Sequence, residues 1–206
     1  SEMCIRDSYN EIPLTEAFIP TRLLHRENQV KELARCLKPL LKNRIAENVF
    51  LVGPTGAGKT IVAKWILENY FHGKFVYVNC WKYRRTHQVI KEILLSFEIP
   101  VHGREPTSEL IKTLDLLLER KRRVIVCLDE VDQLKDFDIL YILARRRECC
   151  LILISNDYKA LIGLDPRIKS RLALTEIEFP AYKPDELFNI LKDRVNSVSY
   201  THLRAH

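Results

Sequence analysis

The segment GPTGAGKT, Gly53 to Thr60, constrains the fold more than any other stretch of the chain. It fits G-x-x-x-x-G-K-[ST] in full. It follows NVFLV, a short apolar β-branched run, and opens KTIVAKWILENY, which reads as a helix from Lys59 to about Tyr70. A buried strand that feeds a glycine turn and then a helix aims backbone N–H groups at an anion, and the helix N-terminus adds partial positive charge. In such a loop Pro54, Thr55, Gly56, Ala57 and Gly58 supply the backbone cradle. Lys59 is expected to reach the β- and γ-phosphates of a nucleotide, and Thr60 to ligate Mg2+. The bland alternative is an accidental glycine turn, which the flanking strand and helix argue against.

Around this unit the chain alternates apolar runs with amphipathic stretches. Arg26 to Leu41 carries Val30, Leu33, Leu37 and Leu40 on one helical stripe. Strands are expected at Lys74–Asn79, Val124–Asp129 and Leu151–Ser155, with a fifth at Thr175–Phe179. Helices are expected at His87–Phe97, Ser108–Glu119 and Ile139–Arg145, and at 184–195, where the apolar pattern stops after Val195. Strands alternating with helices predict an α/β fold with a parallel five-stranded sheet covered on both faces.

Three further motifs bear on chemistry. VIVCLDEVD ends an apolar strand in Asp129, placing a carboxylate at the carboxyl edge of the sheet, where such sheets bind ligands. Asp129 can hold the Mg2+ shell, and Glu130 can polarise a water for attack on a γ-phosphate. LILISN puts Asn156 at the tip of the next strand, placed to orient that water or simply to start a turn. In LDPRIKSRL, Arg167 and Arg171 stand four residues apart on one short helix. They are either an arginine finger for a neighbour's γ-phosphate or a solvated basic face.

Composition adds bounds. The chain has 206 residues, 47% hydrophobic and 29% charged, with a net charge of +6. Excess Lys and Arg suit a polyanionic partner, although a basic soluble surface would look the same. No run approaches the roughly 20 apolar residues of a membrane span, and no leader-like start argues for secretion. The six cysteines show no CxxC pairing, and several lie in apolar runs, which suits buried thiols in a reducing cytosol.

In their order, RENQVKELARCLKPLL, GPTGAGKT, VYVNCWKYRRTHQVIKEIL, VIVCLDEVD, LISND, LDPRIKSRL and FPAYKPDELFNILKDRV resemble the AAA+ domain of archaeal Orc/Cdc-type replication initiators, relatives of the eukaryotic origin recognition complex. The resemblance runs from about Phe18 to Val195 and is most specific in NCWKYRRT and FPAYKPDELFNILKDR. It implies a P-loop NTPase three-layer sandwich over residues 9–180, with 181–197 as the first helix of a lid subdomain. It further implies an ATP/ADP- and Mg2+-dependent switch that hydrolyses ATP slowly. That switch would recognise double-stranded origin DNA, self-associate on it and help load the replicative helicase, in the cytoplasm at the nucleoid and without membrane contact.

By the same resemblance Tyr182 and Arg194 contact the nucleotide, and Arg171, with Arg167 second, becomes the finger. Arg84, Arg85 and Lys91 become DNA contacts, or else a solvated face. Family members continue into the rest of the lid and a winged-helix domain, so by the resemblance this chain is expected to carry only the first lid helix. SEMCIRDS (1–8) and VSYTHLRAH (198–206) resemble translated sequencing-adapter read-through and show no periodicity, so both are expected to be non-native. Their charges cancel, which leaves the +6 with the remainder. Two other readings stay open: a loader ATPase acting on protein partners, and a P-loop signalling switch. KSRL in place of an SRC-type finger, and cysteines without zinc-ligand spacing, point away from a clamp loader.

Overall fold

A computed structural model describes residues 23–121 and 123–200, apart from the side chains of 196–200. The segment read as a leader, 1–8, and residues 201–206 of the tail lie outside the described residues. The chain divides into two units, Asn28–Ala181 and a smaller one that includes 23–27 and the stretch from Tyr182.

In the larger unit, β1 (Val49–Val52), β2 (Phe75–Asn79), β3 (Val124–Asp129), β4 (Cys149–Ser155) and β5 (Thr175–Glu178) form one parallel sheet in the order β2-β3-β4-β1-β5. The helices between them are α2 (Lys59–Tyr70), α3 (Thr86–Ser96), α4 (Thr107–Lys121), α5 (Asp138–Ala144) and α6 (Pro166–Leu172), with α1 (Glu27–Leu41) before β1. After β1 the chain crosses β4 and β3 to reach the edge strand β2. It then steps back through β3 and β4 and passes β1 to reach β5. Right-handed crossovers in opposite directions place their helices on opposite faces.

Side-chain alternation follows that division. Phe50, Val52, Val76, Val78, Val126, Leu128, Leu151 and Leu153 join the cluster built by α3, α4, α5 and α6. Val49, Leu51, Ile125, Cys127, Ile152 and Ile154 are equally buried and point the other way, toward the face where α2 packs on β4. The central strands β1 and β3 are buried along their whole length, so they read as unbroken apolar runs.

Element types agree with the sequence reading, and the differences are at the ends. β4 begins two residues before Leu151, because Cys149 and Cys150 pair in register with Val124 and Ile125. Asn48 is a tie the sequence does not announce. Its side chain accepts from Leu151 N–H and donates to the Leu172 carbonyl, both at 2.8 Å, pinning the end of α6 to the sheet.

In the smaller unit α7 runs Pro184–Tyr200, past Val195 and into the segment read as lacking helical periodicity. The apolar stripe that stops at Val195 sets which face a helix can bury, not whether the helix continues. No Gly or Pro between Val195 and Tyr200 breaks it. Leu187, Phe188, Leu191 and Val195 are exposed.

Candidate functional site

Three strand ends converge at the carboxyl edge of the sheet in the larger unit. β1 delivers the glycine loop, β3 delivers Asp129 and Glu130, and β4 delivers Ser155 and Asn156. β1 and β4 are neighbours whose connections leave in opposite directions, the topological position at which open α/β sheets bind ligands.

The loop has the geometry its glycines allow. Gly56 and Gly58 have φ of 76° and 88°, and Gly58 caps α2 in the left-handed conformation. Gly53 meets a different demand: a Cβ there would lie 2.1 Å from the Phe179 carbonyl oxygen, so no side chain fits. Lys59, the first residue of α2, is buried. Its ammonium donates to the carbonyls of Gly53 and Pro54 at 2.7 and 2.8 Å and to Asn156 Oδ1 at 2.9 Å. These three bonds fix the lysine across the mouth of the loop and join Asn156 to it. Burial lowers the Lys59 pKa from the ordinary lysine range, and Asp129, Asp132 and Glu130 oppose that shift.

Asp129 is buried, and both of its oxygens accept hydrogen bonds. Oδ1 accepts the N–H of Glu130 at 2.9 Å, while Oδ2 accepts the hydroxyls of Thr60 and Tyr77, each at 2.7 Å. Burial, and then the adjacent carboxylate, push the Tyr77 phenol far above its usual range, so it stays a donor. The Lys64 ammonium sits 4.2 Å over the Tyr77 ring. Sequence reasoning does not single out Tyr77. The available signal is its place on β2 in register with Cys127, two residues before the end of β3, with an aromatic hydroxyl facing the same side.

Glu130 follows at φ 55°, ψ 48°, a left-handed conformation that costs a non-glycine residue on the order of 1 kcal/mol. Such strain is concentrated at functional sites. The turn beyond it, Val131–Gln133, is anchored by Asp132, whose carboxylate accepts Ser155 Oγ at 2.8 Å and Gln133 Nε2 at 2.7 Å. Burial opposes ionisation of Asp132, but these hydrogen bonds outweigh it and hold its pKa below the usual aspartate value.

Lys59, Thr60, Asp129 and Asn156 are thus brought together, with the Glu130 backbone bonded to them. Arg167 and Arg171 lie exposed on α6, whose N-cap Asp165 accepts the Arg167 N–H at 2.7 Å. Tyr182 and Arg194 belong to the smaller unit, where the Arg26 guanidinium covers one face of the Tyr182 ring at 3.7 Å. Of the residues read as DNA contacts, Arg85 is exposed and Lys91 half-buried. Arg84 is tied to the turn after Glu130, donating to the Gln133 carbonyl and Oε1 at 3.2 and 3.0 Å, and lies 5.2 Å over Trp81.

The donor set fits hard oxygen chemistry. The Thr60 hydroxyl and an Asp129 carboxylate oxygen stand side by side at the start of α2, the oxygen ligands Mg2+ prefers. The glycine loop fits a phosphate, since its backbone is open to close approach and its lysine is already aimed across it.

Residues 44–159 match the family model described as an AAA domain. An ORC1-type DNA replication protein of Sulfurisphaera tokodaii is 34% identical over 89% of this chain and 50% of its own length. One from Halobacterium salinarum is 37% identical over 89% of the chain and 62% of its own. The solved structure of the Aeropyrum pernix ORC1 protein in complex with DNA superposes with a TM-score of 0.82 at 30% identity, covering 91% of this chain and 53% of that one. The chain therefore spans about half to three-fifths of the length of these relatives. It belongs to the AAA domain family and is a relative of the archaeal ORC1-type DNA replication proteins.

Proposed function

We propose that this chain is the ATP-binding AAA+ module of a DNA replication initiator, a switch that recognises double-stranded origin DNA and helps load the replicative helicase. The observation that carries the nucleotide half is the shared bonding of Lys59, Thr60, Asp129 and Asn156 at the carboxyl ends of β1, β3 and β4. The DNA half is supported by the ORC1-type relatives and by the likeness to the A. pernix ORC1 protein, whose structure holds DNA.

The backbone of Pro54 to Gly58 would hold the phosphates, and Lys59 would exchange its loop carbonyls for β- and γ-phosphate oxygens. Thr60 and Asp129 would hold Mg2+, which when bound neutralises phosphate charge. Asn156 keeps the lysine and an attacking water in register. Glu130 accepts a hydrogen bond from that water as its oxygen bonds to the γ-phosphorus and the bond to the β-phosphate oxygen breaks. Arg171, with Arg167 second, acts on a neighbouring copy assembled on DNA, and Tyr182 and Arg194 contact the nucleotide from residues 181–197, the first lid helix. Slow hydrolysis and a cytoplasmic, nucleoid-associated setting complete the reading.

Glu130→Gln tests it. Binding of a fluorescent ATP analogue should be unchanged, while phosphate release falls by about a hundredfold or more. Hydrolysis at the unsubstituted rate would remove Glu130 from its role. The DNA half is tested by anisotropy titration of origin-containing against scrambled duplex, where equal affinity for both would remove origin recognition.

A further inference from the structure

The net charge of +6 is not spread evenly. The connections that enter the strands, at the amino edge of the sheet, are rich in cations. Lys42 and Arg44 precede β1, Lys74 precedes β2, Arg123 precedes β3 and Arg147 precedes β4, while Arg120 and Lys121 close α4 beside them. All but Arg123 are exposed. Among the described residues none of these seven is in an ion pair; the nearby Arg35 and Arg146 are taken up, by Glu47 and Asp115.

Four of these cations, Lys74, Arg120, Lys121 and Arg123, line a cavity of about 530 Å3 together with Asn43, Glu119 and Glu148. Arg123 is held rigidly there. Its guanidinium donates to the Asn43 carbonyl at 3.2 Å and the Arg147 carbonyl at 2.9 Å, so it is oriented by neutral acceptors and by no carboxylate among the described residues. Arg120 and Lys121 also suit the negative end of the α4 dipole. That does not account for Lys74 or Arg123, which lie outside any helix.

We propose that this amino edge of the sheet is a contact face for the phosphate backbone of duplex DNA, separate from the nucleotide edge and from the Arg84–Arg85 loop. The inference rests on the DNA-binding half of the proposed function. A protein partner fits less well. Protein interfaces have an apolar, aromatic centre depleted of charge, and none of the described residues that line this cavity is apolar. Unpaired Lys and Arg that displace counterions from phosphates need no such centre.

The test is the triple variant Lys74→Gln, Arg120→Gln, Lys121→Gln in the 206-residue chain. All three are exposed and lie outside the nucleotide site, and Arg123 is left to keep its carbonyls. Duplex binding is followed by fluorescence anisotropy as salt rises from about 50 to 200 mM. The plot of log affinity against log salt should become shallower by about 2 to 3, one unit for each phosphate that is no longer neutralised. Affinity at the lowest salt should fall at least tenfold, with ADP binding and the thermal midpoint unchanged. An unchanged slope and affinity overturn this face alone if Arg85→Gln weakens binding. A wild-type chain that binds no duplex overturns the DNA reading with it. Displacement of the duplex by poly-L-glutamate at matched charge would make the face a dock for acidic protein and overturn the proposal.

Discussion

The two edges of the sheet are built from the same strands and solve opposite problems. At the carboxyl edge polar groups are consumed by one another: the Lys59 ammonium makes three hydrogen bonds, Asp129 accepts on both oxygens, and Asp132 holds Ser155 and Gln133. At the amino edge Lys42, Arg44, Lys74 and Arg147 pair with no carboxylate among the described residues. Helix direction accounts for part of the contrast. Every helix between parallel strands starts at the carboxyl edge, where its N-terminus favours anions, and ends at the amino edge, where its C-terminus favours cations. The lesson is one of pre-organisation. The first edge is fixed before any ligand arrives and should respond sharply to single atoms, whereas the second is a field that responds to salt and to summed charge.

Lys59→Ala should break the first edge most completely. It removes the charged donors aimed at the phosphates, at about 3 kcal/mol or roughly a hundredfold in nucleotide affinity. Calorimetric titration with ATP checks this, and normal affinity would remove the loop assignment. Gly53→Ala should come next, through stability. The new methyl group would meet the Phe179 carbonyl, a backbone atom that cannot swing aside, so a loss of about 3 kcal/mol is expected in denaturant unfolding. A substitution at Lys74, on the other edge, should leave that midpoint where it was.

Tyr77→Phe sharpens the contrast further. Asp129 Oδ2 would keep Thr60 and lose its second donor. Loss of an outer partner of a metal-binding carboxylate costs roughly 10- to 100-fold in metal affinity. The Mg2+ concentration for half-maximal hydrolysis should rise by about tenfold, with nucleotide binding in EDTA unchanged. A parallel fall in both would make Tyr77 a packing residue.

Much of this is legible in the sequence because it is local. The glycine loop, the bounds of α2 and β3, and the succession Asp129, Glu130, Asn156 each follow from a strand end and the residues after it. What escapes is long-range. Tyr77 meets Asp129 across two strands, Asn48 reaches Leu172, and Gly53 presses on Phe179. Arg84, which the resemblance offers as a DNA contact or else part of a solvated face, also donates to Gln133 in the turn after Glu130. Net charge is readable and the gathering of these cations at one edge is not, since only the topology brings four separated connections together.

Asp132 gives the smallest effect and the clearest sign. Its folded pKa lies below the 3.8 of an unperturbed aspartate because Gln133 and Ser155 hydrogen-bond the charged form more than burial disfavours it. A carboxyl group depressed on folding adds stability above its unfolded pKa, and that contribution disappears as the pH falls through the folded value. Asp132→Asn should therefore cost about 1 kcal/mol in denaturant unfolding at neutral pH. The gap between variant and parent should close as the pH drops below 3.8. At the amino edge Arg147→Gln should show no such convergence, because Arg147 has no carboxylate partner among the described residues. A gap for Asp132→Asn that stayed constant with pH would mean that shape, not ionisation, holds Ser155 in place.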